Sequence, residues 1–190
     1  MYRLLQVAAL VLALVPSVLF AQKSHTRERL AISAGLGTGT IGASCDFCGD
    51  TDRESGTTGY LRIGGYAGPK LLIGGEANGF KNTVDGIDQT SAYYMAVAQW
   101  YPNAATGWFL KGGLGLATYR ISDEPDEITS NALGMTLGMG YDIRLASAIS
   151  LTPYLDYLVS TKGELKLNDI SSGLNLSTNV FHLGLGLTWH

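Results

Sequence analysis

The chain has 190 residues, with 13 Lys and Arg against 16 Asp and Glu and a formal charge of −3. Its length fits one domain and excludes a large polytopic helical protein. Only 15% of the residues are charged and 46% are apolar, which argues against a nucleic-acid binder, because phosphate contacts need concentrated positive charge, and against a disordered chain.

Met1-Tyr2-Arg3 opens with one positive charge. Leu4-Leu5 and an uncharged run from Val7 to Val15 follow, then Pro16-Ser17-Val18-Leu19-Phe20-Ala21-Gln22. A charged start, an apolar core and a small residue before a polar stretch form a secretory signal peptide, residues 1–21, removed near Ala21. A spanning helix needs about 20 apolar residues, and Pro16 interrupts this run first. Residues 22–190 are then one exported domain.

From Leu30 onward the sequence alternates with a period of two, the strand signal. The first strand sets Leu30, Ile32, Ala34 and Leu36 against Ala31, Ser33, Gly35 and Gly37. The second sets Leu61, Ile63, Gly65 and Ala67 against Tyr60, Arg62, Gly64 and Tyr66. A tight turn at Gly68-Pro69-Lys70 leads to the third, with Leu71, Ile73, Gly75 and Ala77 opposite Leu72, Gly74, Glu76 and Asn78. The fourth covers 91–101 and is apolar on both faces. Matching Tyr101 with Trp108 across the turn at 102–107 places Tyr93, Met95 and Val97 on its outer face. The fifth sets Trp108, Leu110, Leu114 and Leu116 against Phe109, Lys111, Gly113, Gly115 and Tyr119. The sixth has Leu133, Met135, Leu137, Met139, Tyr141 and Ile143 opposite Gly134, Thr136, Gly138, Gly140 and Asp142. The seventh sets Ile149, Leu151, Leu155 and Tyr157 against Ser150, Thr152, Tyr154 and Asp156, with a bulge expected at Pro153. The eighth sets Phe181, Leu183, Leu185, Leu187 and Trp189 against His182, Gly184, Gly186, Thr188 and His190.

Eight strands of about ten residues, joined alternately by short turns (around Pro69, 102–107 and 144–147) and long loops (38–58, 81–90, 120–130 and 160–178), give an all-β, eight-stranded antiparallel up-and-down transmembrane β-barrel. A soluble barrel would turn its Leu/Ile face inward and a charged face to water. Here the second face is rich in glycine and nearly free of surface-type charge; glycine weakens strands and solubilises nothing. Inside a narrow barrel small residues mixed with a few large ones are what fit, so the aliphatic face meets lipid. Tyr101, Trp108, Tyr141 and Trp189 at the short-turn end, and Tyr93, Tyr157 and Phe181 near the other, are expected to form two interfacial aromatic bands.

The carrying segments Leu30-Ala31-Ile32-Ser33-Ala34-Gly35-Leu36-Gly37, Phe109-Leu110-Lys111-Gly112-Gly113-Leu114-Gly115 and Leu183-Gly184-Leu185-Gly186-Leu187-Thr188-Trp189-His190 make the chain resemble the eight-stranded outer-membrane β-barrel family that includes the OmpA transmembrane domain and OmpX. The resemblance spans the exported chain. It implies the cell outer membrane of a diderm bacterium and contact with outer-membrane lipid and lipopolysaccharide. It also implies delivery to the barrel-assembly machinery through a final strand ending on an aromatic residue; here Trp189 is followed by His190. It implies architecture more than activity, because one such barrel hosts several jobs.

Five charges fall on the strands, Arg62, Glu76, Lys111, Asp142 and Asp156, all on the lumen face. Arg62 and Glu76 are equidistant from Pro69 and so become cross-strand partners. Charges this far from water must pair, which predicts a lumen network of Arg62, Glu76, Lys111 and Asp156 acting either as a plug or as a gate. Cys45 and Cys48, in the first loop, meet an oxidising compartment after export and are expected to form a disulfide. Two cysteines supply half a tetrahedral zinc set, so no metal or cofactor is expected there. Asp50, Asp52 and Glu54, and Asp123, Glu124, Asp126 and Glu127, read as solvated loop acid. A lipid A-modifying hydrolase would need a histidine base near lipid; of His25, His182 and His190, only His182 is near the loop end, and it points into the lumen. The resulting expectation is a monomeric, non-enzymatic barrel with a structural or surface-interaction role. A narrow pore for small solutes, a lipid-modifying enzyme and a soluble secreted barrel are the rival readings.

Overall fold

The computed structural model describes residues 30–45, 49–50, 53–84, 86–123, 126–168 and 170–190. The expected leader and its cleavage point near Ala21 lie outside the described residues, as does His25. Eight long strands make the wall: β1 (Leu30–Cys45), β2 (Glu54–Tyr66), β3 (Leu71–Val84), β4 (Ile87–Trp100), β5 (Trp108–Asp123), β6 (Asp126–Tyr141), β7 (Ile149–Ser160) and β8 (Ile170–Trp189). Each pairs antiparallel with its sequence neighbours, and β8 pairs back onto β1 from Ile32↔Trp189 to Cys45↔Leu176, so the sheet closes on itself. Closure leaves no edge, the condition for a sheet to stand in hydrocarbon.

The period-two pattern places the aliphatic residues outside. Leu36 is 74% exposed and Leu137 68%, whereas Arg62, Glu76, Lys111, Asp142 and Asp156 are buried. The tight turns follow from local chemistry. Gly68 takes φ +139°, a value that favours glycine, and Ala67 N–H donates to Leu71 O at 2.8 Å to close the β2–β3 hairpin.

Three features differ from the sequence-based expectation. The segments read as long loops are largely strand: β1 runs on to Cys45, β2 starts at Glu54, β3 reaches Val84 and β5 reaches Asp123. Their Thr, Ser and Asn residues alternate as the lower strands do, and β-branched threonine suits a pleated wall. Past Ser160, where β7 ends, a short strand Gly163–Leu167 takes over its place between β6 and β8. Leu133 O accepts from Thr161 N–H at the break, and Leu133 N–H donates to Thr161 Oγ1.

Strand four has the opposite parity. The ladder pairs Trp100 with Leu110 and Tyr93 with Ala117, one residue away from a Tyr101–Trp108 match. Tyr93 (1% exposed) and Tyr101 (0%) therefore lie inside, not in the interfacial bands, and Tyr94 and Trp100 take the outward positions. The cause is polar: this register puts Gln99 in the lumen, where it bonds Arg62 and Tyr101, whereas the other would hold it against lipid. Finally, Pro153 makes no bulge. It pairs with Leu185 in unbroken register. The β6–β7 ladder stops at Gly140↔Tyr154 and resumes in the same register at Ile143↔Leu151, in the short strand Ile143–Arg144. The missing N–H of proline leaves a gap in the ladder and no shift.

Candidate functional site

The lumen is built from the inward row of every strand. Arg62 on β2 and Glu76 on β3 are direct partners, and Arg62 Nε donates to Glu76 Oε2 at 2.5 Å. Lys111 on β5 reaches across the bore. Its Nζ donates to Glu76 Oε1 at 2.6 Å and to Asp156 Oδ2 on β7 at 2.7 Å. The four residues named from sequence are thus brought into one chain of alternating charge, all buried. Tyr60 lies beside it, with the Arg62 guanidinium carbon 4.9 Å and Lys111 Nζ 5.8 Å from its ring centroid, distances at which the ring face attracts a cation.

The network extends beyond those four. Arg62 Nη1 donates to Gln99 Oε1 at 2.6 Å, Gln99 Nε2 donates to the Tyr101 hydroxyl at 2.6 Å, and that hydroxyl donates to Asp142 Oδ2 at 2.9 Å. Thr152 donates to Asp142 Oδ1 at 2.8 Å and bonds Thr188, which bonds Ser33, which bonds Tyr60. Sequence reasoning placed Asp142 on the lumen face but gave it no partner. It missed Gln99 and Tyr101 because it assigned the wrong parity to strand four; Gln99 was the signal that would have corrected it.

Glycine on this face makes room. A Cβ on Gly138 would fall 1.9 Å from Asp156 Oδ1, one on Gly35 2.4 Å from the Tyr60 ring, and one on Gly140 2.4 Å from Phe109. The large and charged side chains of the lumen occupy the space that these glycines leave empty.

Toward the end opposite the tight turns, where β1 leads to β2, β3 to β4 and β5 to β6, the interior changes character. Ile41, Phe80, Tyr93, Met95, Val97, Tyr119, Leu158, Leu176 and Val180 pack into one apolar cluster inside the tube. The outer face changes in the opposite sense: above Leu36 stand Thr38 and Thr40, above Leu116 stand Thr118 and Arg120, above Leu133 stand Asn131 and Thr129, and above Phe181 stand Asn179 and Ser177. The tube is therefore apolar outside and ionic inside in its lower part, and polar outside with an apolar cluster inside in its upper part. A water boundary on the outer wall explains the inversion, since apolar surface is driven away from water on whichever face meets it.

Of the other residues expected at the aromatic bands, Trp108, Tyr157, Phe181 and Trp189 are exposed and Tyr141 is half-buried, packed edge-on against Trp108 at 5.5 Å. His182 is buried opposite Asp156, and neither of its ring nitrogens has a hydrogen-bond partner. His190 sits at the turn-end mouth, where its Nδ1 pairs with the Tyr66 hydroxyl at 2.8 Å and its Nε2 with Ser150 Oγ at 3.0 Å. The expected Cys45–Cys48 bond involves Cys48, which lies outside the described residues, as do Asp52 and Glu124. Among the described residues, no group of three or more His, Cys, Asp and Glu side chains converges as a metal site would require.

In fold the chain is similar to Neisserial surface protein A, at 16% identity and a TM-score of 0.57 over 84% of this chain and 96% of that one. It is also similar to Ail, the attachment invasion locus protein of Yersinia pestis, at 14% identity and a TM-score of 0.53 over 85% of this chain and 99% of that one. No curated protein matches the chain in sequence. The model of the outer membrane protein β-barrel domain matches residues 7–188. The chain belongs to the outer membrane protein β-barrel domain family.

Proposed function

We propose that this protein is a closed, non-conducting outer-membrane barrel with a structural or surface-interaction role, its upper tube presented outside the cell. The observation that carries the reading is that the bore is filled twice, by the Arg62–Glu76–Lys111–Asp156 network and, above it, by the apolar cluster around Phe80, Leu158 and Val180. An ion would have to pass both the ionic layer and the apolar cluster above it. Breaking one leaves the other. Delivery through β8 to the barrel-assembly machinery, removal of residues 1–21 and a monomeric state in the membrane are parts of the same proposal. Catalysis has no place in it: His182 is shut inside the wall and bonds neither a hydroxyl nor a carboxylate, while a hydrolytic base needs both within reach.

Planar-bilayer recording tests this. The purified protein should show no unitary conductance, and Arg62→Ala should remain silent because the apolar layer persists. That variant should nonetheless lose about 3–5 kcal/mol of unfolding free energy in urea, the cost of leaving Lys111 alone to offset the two buried carboxylates of Glu76 and Asp156. Discrete current steps from the wild type, or a leak from the variant without loss of stability, would assign the network to a gate.

A further inference from the structure

The apolar interior does not end inside the tube. At the end opposite the tight turns, Asn82, Gln89, Ile121, Ile128, Leu167 and Ile170 are successive cross-strand partners from β3 to β8. Direct partners share a face, and Ile121 stands two residues beyond buried Tyr119, so the row lies on the inner face. Its last four members are aliphatic, and Ile121 packs against the interior cluster. Leu167 is nevertheless 48% exposed and Ile170 73%. Lipid does not cover them: the outward residues that alternate with this row are Arg120, Thr129 and Lys166, and that polar outer wall stands in water. Apolar surface that continues a core and opens to water marks a place where something docks. The row is also held in position. Asn168, at the turn between Leu167 and Ile170, takes φ +48° and ties this hairpin to β6. Its N–H donates to Glu127 O and its Oδ1 accepts from Glu127 N–H, both at 2.9 Å.

Charge around this mouth is one-sided. Residues 46–54, 81–90, 120–129 and 162–170, the strand ends and connections on this side, carry 12 Asp and Glu against five Lys and Arg. Two of those cations already answer acids of their own, Lys81 with Asp88 at 2.8 Å and Arg120 with Glu127 at 3.4 Å. We propose that the aliphatic row of Ile121, Ile128, Leu167 and Ile170 receives the apolar face of a cationic amphipathic peptide, whose basic residues meet the surrounding carboxylates. The inference rests on the surface-interaction reading above and deepens it by naming the class of partner. Neighbouring strands set the length of the row at about 14 Å, which is about two and a half turns of α-helix. One apolar helix stripe at i, i+3 or i+4, and i+7 covers that span. The excess of acid steers a positively charged partner to the mouth. A purely apolar solute would leave the carboxylates unanswered, and a small cation would leave the row uncovered. A second copy of this chain brings the same acids and is repelled.

The test uses the full folded protein in phosphatidylcholine nanodiscs, with empty discs as the blank. The probe is a fluorescein-labelled helical peptide of Leu and Lys at amphipathic spacing; its controls replace every Leu by Ser or every Lys by Glu. The wild type should bind the Leu/Lys peptide above the blank and on the order of tenfold more tightly than either control. Raising salt from about 50 to about 500 mM should weaken that binding severalfold. The L167S/I170S variant should bind on the order of tenfold more weakly, given what covering two aliphatic side chains contributes, and L167M/I170M should bind as the wild type does. Both positions are exposed, so the variants should keep the heat-modifiable gel mobility of the wild type; if the serine variant loses it, the peptide and salt comparisons on the wild type decide alone. Equal binding of the three peptides, binding indifferent to salt, or an unchanged affinity in folded L167S/I170S would each overturn the docking row. Failure of the closed-barrel reading shows separately, as current through the peptide-free protein in planar-bilayer recording.

Discussion

Asp156 Oδ1 lies directly over Gly138, and the Tyr60 ring over Gly35. At these positions the lack of a side chain is a packing requirement, because each neighbour is held from elsewhere, Asp156 by Lys111 and Tyr60 by Ser33. Gly79, on the lipid face of β3, has nothing within 4 Å of where a Cβ would stand. Gly138→Ala should therefore cost about 1–3 kcal/mol through overpacking, while Gly79→Ala should change stability by no more than about 0.5 kcal/mol. Urea unfolding of both variants in the same detergent checks the contrast; equal effects would mean that the glycines do not make the room ascribed to them. The charged half of the lumen was legible in the sequence because an ion in an apolar, glycine-rich strand has only one tolerable direction. The neutral half was not. Gln99, Tyr101 and Tyr93 sit in a strand whose outer face carries alanine, so hydrophobicity did not separate its two sides.

At the scale of the element, alternation separated the two faces of seven of the eight strands, because leucine and isoleucine alternate with glycine or a polar residue, and the glycine-rich, charge-poor character of the second face showed which one points inward. The upper thirds of the strands were not legible as strand. There the outward residues become Thr, Asn, Ser, Lys and Arg, the inward ones become apolar, and the sequence passes through a mixed zone that resembles a loop. The backbone pairing is continuous through it: Thr38↔Thr57, Thr40↔Ser55, Asn131↔Thr118 and Thr129↔Arg120 all sit in unbroken ladders. Amide hydrogen exchange distinguishes a wall from a loop. Residues 38–41 and 117–121 should exchange as slowly as residues 32–36 in the same strand system. Exchange at the rate of an open loop would show that the wall ends where the aliphatic belt does.

For the whole molecule, the inversion of polarity ties fold to function. One barrel wall, without any change in strand parity, satisfies lipid over its lower part and water over its upper part, and fills its own interior with whatever the outside does not take. This makes the upper part a closed tube with a polar exterior in place of four independent loops. The claim can be tested along β8. Single cysteines from Leu176 to Leu185, introduced after Cys45 and Cys48 are replaced by serine, carry a nitroxide label whose relaxation by dissolved oxygen and by a water-soluble nickel chelate is measured in lipid vesicles. Labels at Leu185, Leu183 and Phe181 should respond to oxygen, those at Asn179 and Ser177 to nickel, and those at His182, Val180, Thr178 and Leu176 to neither. Nickel access at His182 and Val180, or lipid-type oxygen access at Val180 and Leu176, would contradict the account.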